Sequence, residues 1–386
     1  MDPILNPFTP GAGVPPRVWV GRDRELEQAA VLFGRLAVGH SERSIVLTGL
    51  RGVGKTVLLG RMRRHAEEHG WLTASFEARS GVDLRDELHT VGQRFLEAVD
   101  PVARLETQLA HLRSWLPRLS VGGVDVVPGG SAGALERDVV GLVERLGPAA
   151  REAGTGVALF VDELQDTPRE GLSALCAAMH RAAQDVTPIA LIGAGLPTLP
   201  GVLAAAKSYA ERLFTYPAIG RLDAAQSKSA IRDTLSVLEL EPGQHPSIQE
   251  DALDVIVDFA EGYPMFLQSI GKHAWANATA PTITAANVAT AQAPAMRELS
   301  ADLFTARWQR ATGRQRDYIA AIARAGGRAG SREAAMSAGC SSSAEASPIR
   351  DELISKGIVY APERGQVAFT VPKFERFVID FLEHGG

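Results

Sequence analysis

The segment Gly49-Leu50-Arg51-Gly52-Val53-Gly54-Lys55-Thr56 fits the spacing G-x-x-x-x-G-K-[ST], and it falls between an apolar run, Ser44–Thr48, and an amphipathic stretch that starts at Thr56. Residues of these types in this order suit phosphate. The glycines let backbone N–H groups close around phosphate oxygens, and a helix N-terminus adds positive potential. Lys55 reaches the β and γ phosphates, and the Thr56 hydroxyl is a ligand for Mg²⁺. Gly49, Arg51, Gly52, Val53, Gly54, Lys55, Thr56 and Val57 are the expected contacts to ATP.

A second element is Val157-Ala158-Leu159-Phe160-Val161-Asp162-Glu163, an apolar run that ends in two adjacent carboxylates. A buried parallel strand would deliver Asp162 to its C-terminal edge beside the phosphate loop, where it can hold a water of the Mg²⁺ shell. Glu163 is then placed to polarise the attacking water. An isolated Asp-Glu pair after a strand is more commonly a solvated turn or helix cap; its place downstream of a phosphate loop selects the catalytic reading. Arg212, in Ala210-Glu211-Arg212-Leu213-Phe214, comes just before the expected last strand. From there an arginine can reach the γ-phosphate of a neighbouring subunit and stabilise transition-state charge, with a surface ion pair to Glu211 as the competing reading.

Other constellations fall away. His65-Ala66-Glu67-Glu68-His69 formally fits H-x-x-E-H, but it sits near the C-terminal end of the helix leaving the phosphate loop and no third ligand is suggested nearby, so it reads as a solvated helix face. No G-x-S-x-G occurs, and Cys176 and Cys340 are too far apart in sequence to suggest a C-x-x-C site.

The elements that must position these groups follow from periodicity. Short apolar runs at Ser44–Thr48, Leu72–Phe76, Val157–Val161, Ile189–Ile192 and Leu213–Ile219 predict strands. Amphipathic stretches at Asp23–Ala37, Thr56–His69, Leu84–Val99, Leu135–Ala153 and Arg169–Ala183 predict helices. Their alternation implies an α/β fold with a mostly parallel sheet covered on both faces. Residues 1–16, rich in Pro and Gly, read as an extended arm outside the fold, and 17–222 as the sheet domain. Within it, Gly122-Gly123 between β-prone pieces is a small hairpin or a flexible loop. Residues 223–295 carry only helical periods, 296–312 form a helical connector, and 313–386 read as three helices followed by two short strands. That last layout is the one of a winged helix. No repeat of about 20–50 residues is visible.

Composition bounds the function. A chain of 386 residues has room for two or three domains. It carries no apolar run long enough to span a bilayer, and two cysteines cannot make a disulfide framework. With no secretory pattern at Met1-Asp2-Pro3, the expected compartment is a reducing cytoplasm. A net charge of -5 argues against a protein that coats nucleic acid, so any DNA contact must be local.

With these motifs placed, the chain from Arg17 onward resembles AAA+ ATPases, and within them the initiator branch that includes origin-recognition proteins, close to the signal-transduction NTPases. Val18-Trp19-Val20-Gly21-Arg22-Asp23-Arg24-Glu25-Leu26 looks like the entry motif V-G-R-x-x-E-L, which implies that Val20, Gly21 and Arg22 pack against adenine. The helical unit would be the AAA+ lid. Its Gly262-Tyr263-Pro264 resembles the Gly-x-Pro motif of signal-transduction NTPases and implies a nucleotide contact at Pro264. Two departures matter. Gly193-Ala194-Gly195-Leu196-Pro197 stands where the family has a polar sensor after the fourth strand, and the lid lacks the basic sensor of a typical member. Losing two polar contacts to the γ-phosphate implies slow hydrolysis and a switch rather than a motor.

The resemblance implies an oligomer that engages duplex DNA through Arg350 and Lys356, in the manner of an initiator, transposition regulator or loader. Asp351, Glu352, Glu333 and Glu345 nearly cancel the charge around those two residues, so one module would bind weakly and need several copies. The alternative is a signalling or defence switch that assembles with ATP and engages a protein effector. A third possibility is a structural module that holds nucleotide permanently.

Overall fold

Ser44–Thr48 (β1), Leu72–Glu77 (β2), Val157–Asp162 (β3), Ile189–Gly195 (β4) and Phe214–Thr215 (β5) are strands in the computed structural model, which describes residues 1–11, 13–79, 84–99, 106–117, 133–241 and 244–384. By their contacts the residues fall into two units, Arg22–Gly49 with Lys55–Ile219, and Met1–Gly21 with Leu50–Gly54 and Gly220–Gly386.

The first unit is the α/β one. Its five strands pair in parallel in the order β2-β3-β4-β1-β5. β1 and β4 are buried along their whole length, as near-continuous apolar strands must be when both faces of a sheet are covered. The helices are Asp23–Ala37 (α1), Lys55–Glu68 (α2), Leu84–Val99 (α3), Glu106–Trp115 (α4), Ala134–Ala153 (α5), Arg169–Gln184 (α6), Leu199–Ala206 (α7) and Ala210–Leu213 (α8). The expected α/β fold, a five-stranded parallel sheet with helices, is therefore present. Register decides what meets at its edge: Thr48 pairs with Gly195, and Val161 with Gly193. β1, β4 and β3 thus end at one edge of the sheet. The strand expected over Leu213–Ile219 is shorter, pairing at Phe214–Thr215 and touching β1 again only through a bridge from Thr48 to Ala218. The Gly122-Gly123 stretch lies outside the described residues.

The second unit opens with Ala224–Ser236 (α9), Glu250–Ala260 (α10), Pro264–Asn277 (α11) and Ala285–Leu299 (α12). Capping boxes at Asp223 with Gln226 and at Thr284 with Asn287 fix where α9 and α12 begin. A two-stranded parallel pair, Ser247–Ile248 (β6) with Thr282–Ile283 (β7), stands inside a segment read as purely helical. The expected connector is not a separate element. α12 runs on to Leu299, through a π-helical turn at Ser300–Thr305, into Ala306–Gln309 (α13).

The C-terminal module has the three helices Gly313–Arg324 (α14), Ser331–Ser337 (α15) and Ser343–Ser355 (α16). Its hairpin strands, Val359–Tyr360 (β9) and Gln366–Phe369 (β10), are joined by a further strand, Arg328–Gly330 (β8), in the antiparallel order β8-β10-β9. A last helix, Phe374–His384 (α17), buries Phe374 and Val378, and its aromatic face packs in tilted contacts on Phe304 and Trp308.

The N-terminal arm, expected to lie outside the fold, belongs to it. Phe8 is buried against Gly271 of α11, where no side chain stands in its way, and the buried Trp275 donates from Nε1 to Asp2 O at 2.8 Å. Pro and Gly there remove helix and strand periodicity but not apolar anchors.

Candidate active site

β1 leads into the phosphate loop, whose Gly52 and Gly54 have φ of +83° and +94°. These are left-handed values that a side chain resists, which is why the motif demands glycine at those points. The loop ends in α2, and the buried Lys55 at its first position donates from Nζ to Gly49 O at 2.9 Å. A buried ammonium bonded to a carbonyl can exchange that acceptor for phosphate oxygen.

The exposed Thr56 hydroxyl donates to Asp162 Oδ2 at 2.5 Å. Burial pushes the Asp162 carboxyl above its ordinary value and the Glu163 charge adds to this; the Thr56 hydroxyl, the Glu163 backbone N–H and the Lys55 charge pull it back. A hydroxyl and a carboxylate in contact form an all-oxygen donor set of the kind Mg²⁺ takes, so the residues fit the ion. Lys55, Thr56, Asp162 and Glu163 thus stand close to one another at this edge of the sheet.

Glu163 has φ 46° and ψ 40°, a left-handed conformation that costs a non-glycine residue about 1–2 kcal/mol. Its surroundings enforce it: Glu163 N donates to Asp162 Oδ1 at 2.8 Å, and Asp166 N donates to Glu163 O at 2.8 Å. Sequence reading passed over the next residues. Gln165 Nε2 donates to Glu163 Oε2 at 2.6 Å, and Leu196 N donates to Gln165 Oε1 at 3.1 Å. The only hint in the sequence is a polar residue two places beyond the Asp-Glu pair, together with glycines at the exit of β4.

In the second unit the loop residues meet other partners. Arg51 Nη1 donates to Gly357 O at 2.6 Å, and Arg51 N donates to Thr370 O at 3.1 Å, so the C-terminal module grips this residue twice. Met265 N, next to Pro264, donates to Gly52 O at 3.4 Å. Gly262, at φ +76°, lies so close to Leu222 O that a Cβ would sit 2.2 Å from it, which explains the glycine of the Gly-Tyr-Pro triplet. Val20 and Gly21 also belong to this unit, and the Gln226 amide fills the space a Gly21 side chain would need. Arg22 and Val57 belong to the first unit; burial holds the Arg22 guanidinium below its ordinary pKa, with Glu25 opposing.

Arg212 lies in α8, on an open cleft of about 420 Å³ shared with Arg35, Glu42, Arg43, Ser44 and Ile189. Ser44 and Ile189 begin β1 and β4, so Arg212 stands at the N-terminal edge of the sheet, opposite the edge that carries Asp162. The sequence places it correctly beside the last strand, and the fold keeps it away from Lys55 and Asp162 of its own chain. The rings of His65 and His69 lie tilted at 44° with centres 4.2 Å apart, and His69 Nδ1 lies 2.8 Å from His65 O. Among the described residues no cluster of three or more metal-ligating side chains occurs. Arg350 pairs with Asp351 at 3.0 Å, while Lys356 Nζ donates to Gln315 Oε1 at 2.7 Å and to Arg310 O at 3.1 Å.

Residues 18–192 match the family described as "AAA ATPase domain", and residues 301–378 match a domain of unknown function, DUF8462. The chain therefore carries an ATPase domain. Among solved structures it is similar to the Holliday junction branch migration motor RuvB of Thermotoga maritima, at 15% identity over 93% of this chain and 95% of that one, TM-score 0.48. It is also similar to Cdc6p of Pyrobaculum aerophilum, at 14% identity over 97% of each chain, TM-score 0.44. Orc1 of Aeropyrum pernix, solved in complex with DNA, is 17% identical over 95% of this chain and 93% of that one, TM-score 0.44. No curated protein sequence matches the chain.

Proposed function

We propose that this protein is a regulatory AAA+ ATPase of the reducing cytoplasm, in which ATP binding and slow hydrolysis govern self-assembly and the engagement of duplex DNA by the C-terminal module, read as a winged helix. The observation that carries the reading is the double attachment of Arg51, inside the phosphate loop, to Gly357 and Thr370 of that module. A loop that rearranges around phosphate bears directly on how the module is held.

In this reading Gly49, Gly52, Val53, Gly54, Lys55, Thr56 and Val57 cradle the phosphates, Val20, Gly21 and Arg22 face the base, and Pro264 contributes from the lid. Thr56, and Asp162 through water, would hold Mg²⁺, which supplies charge neutralisation at the β and γ phosphates. Glu163 accepts a proton from the attacking water as its oxygen bonds to the γ-phosphorus and the bond to the ADP oxygen breaks. Arg212, remote from its own Lys55, serves the site of the next subunit, which makes turnover depend on assembly.

A second reading replaces DNA by a protein effector. It is favoured by the engagement of both candidate DNA contacts within the module, Lys356 with Gln315 and Arg310, and Arg350 with Asp351. The test is duplex binding by the Glu163→Gln protein with and without ATP at two salt concentrations, and again with Arg350 and Lys356 both changed to alanine. DNA engagement requires ATP-dependent, salt-sensitive binding that the double alanine variant loses. Absence of such binding leaves the effector reading standing.

A further inference from the structure

We propose that Gln165 is a positioning residue for ATP hydrolysis, holding the Glu163 carboxylate from the space that the glycines of β4 leave open. The inference rests on the reading of Glu163 as the group that polarises water, and adds the residue that sets its orientation.

The amide of Gln165 bridges Glu163 and β4, with a longer bond from Nε2 to Asp166 Oδ1 at 3.4 Å beside them. Its Oε1 accepts the Leu196 backbone N–H at the exit of β4, and its Nε2 donates to Glu163 Oε2 at 2.6 Å. Which end faces which is fixed by chemistry. A backbone N–H needs an acceptor, so the oxygen turns to β4 and the NH₂ is left for the carboxylate. One Glu163 oxygen is thereby tied to a fixed donor, which sets the direction in which the other can accept a proton.

The space for this arrangement is made by β4. A Cβ on Gly195 would lie 2.3 Å from Gln165 Oε1, and one on Gly193 would lie 2.7 Å from Leu164 Cδ2. Any side chain at position 195 would displace the amide, and any at 193 would displace the buried Leu164 that anchors the turn carrying it. The strand that shows no polar residue at its end is thus the strand that seats one from β3's side. Parallel pairing makes this possible, because β3 and β4 run side by side up to Val161 and Gly193 and leave the sheet at the same edge.

The test uses the full chain and three variants. Gln165→Leu removes all three bonds of the amide, and Gln165→Glu keeps the acceptor for Leu196 N but puts a second carboxylate against Glu163. Gly195→Ala disturbs the amide while leaving Gln165 in place. Steady-state kinetics should show kcat lowered about 10–100-fold in both Gln165 variants, with KM and the affinity for a non-hydrolysable ATP analogue within about twofold of the parent. Gly195→Ala should lower kcat in the same way. In a Glu163→Gln background, single-turnover rates should not fall further on adding Gln165→Leu, because a residue that acts through Glu163 has nothing left to orient. Full turnover in Gln165→Glu, a loss of affinity that matches the loss of kcat, or an equal further loss in the Glu163→Gln background would each overturn the proposal. Wild-type turnover by Glu163→Gln alone would overturn the underlying reading of Glu163 independently of any change at Gln165.

Discussion

Changing Arg51 to alanine should loosen the C-terminal module from the phosphate loop by a calculable amount. The Arg51 Nη1 bond to Gly357 O, at 2.6 Å, is charge-assisted and of a kind worth about 1.5–3 kcal/mol. Truncation does not leave the carbonyl orphaned, because Thr370 Oγ1 also donates to Gly357 O at 2.7 Å. The backbone bond from Arg51 N to Thr370 O survives the substitution as well. The net loss therefore falls at the lower end, about 1–2 kcal/mol, or a factor of roughly 5–30 in the opening equilibrium. Amide hydrogen exchange reads this directly, since protection against local opening scales with the opening free energy. Peptides covering residues 50–54 and 357–371 should exchange faster by that factor in nucleotide-free protein, while those covering β1, β3 and β4 should not change. Unchanged exchange in the first set, or acceleration of the sheet by the same factor, would refute the latch.

Three further outcomes follow from the site and the helical unit. Lys55→Ala should abolish ATP binding, whereas Glu163→Gln should retain it and lose turnover by about 10²-fold or more, as measured by nucleotide titration beside phosphate release; equal ATP affinity in Lys55→Ala and wild type would sink the phosphate-loop assignment. Arg212→Ala should keep ATP affinity and lose up to about 10³-fold in turnover, and mixing it with Lys55→Ala should restore activity at interfaces that pair an intact pocket with an intact arginine. Failure of the mixture to recover, with activity independent of protein concentration, places Arg212 outside the mechanism. Glu298 concerns pH. Burial pushes its carboxyl up, but the bonds from Lys272 and Ser269 and the charges of Lys272 and His273 outweigh this and hold it below its ordinary value. A depressed carboxyl contributes stability above its unfolded pKa of about 4.3, and that contribution is lost as pH falls through the folded value. Denaturant midpoints measured from pH about 7 down to about 3 should converge for wild type and Glu298→Gln at the acid end; a constant gap between them would contradict the assignment.

Most of the elements were legible because their cause is local. An apolar run of strand length or a 3.6-residue period commits the chain wherever it sits, and α1 and α3 match their expected bounds residue for residue. The phosphate loop and the Asp162-Glu163 pair were legible for a related reason: their chemistry needs fixed residue types at fixed spacing along one strand-to-helix connection. Even α17 left a readable trace, in Phe374, Phe377, Val378 and Phe381 on one helical face.

Only the tertiary structure decided the rest, since those features join residues that are distant in sequence and carry no spacing rule. Gln165 becomes significant when parallel pairing brings the exits of β3 and β4 side by side, and the β4 glycines read as a missing sensor until the amide is seen filling their place. Arg51 is an unconstrained position of its motif until Gly357 and Thr370 close on it. Phe8 looks like part of a loose arm until Gly271 opens a site for its ring. Local periodicity and motif spacing are written along the chain, so the sequence by itself determined four core strands and most of the helices, and it marked where phosphate chemistry is expected. Which side chain fills a vacancy left by a glycine depends on packing between elements, and only folding brings those elements together.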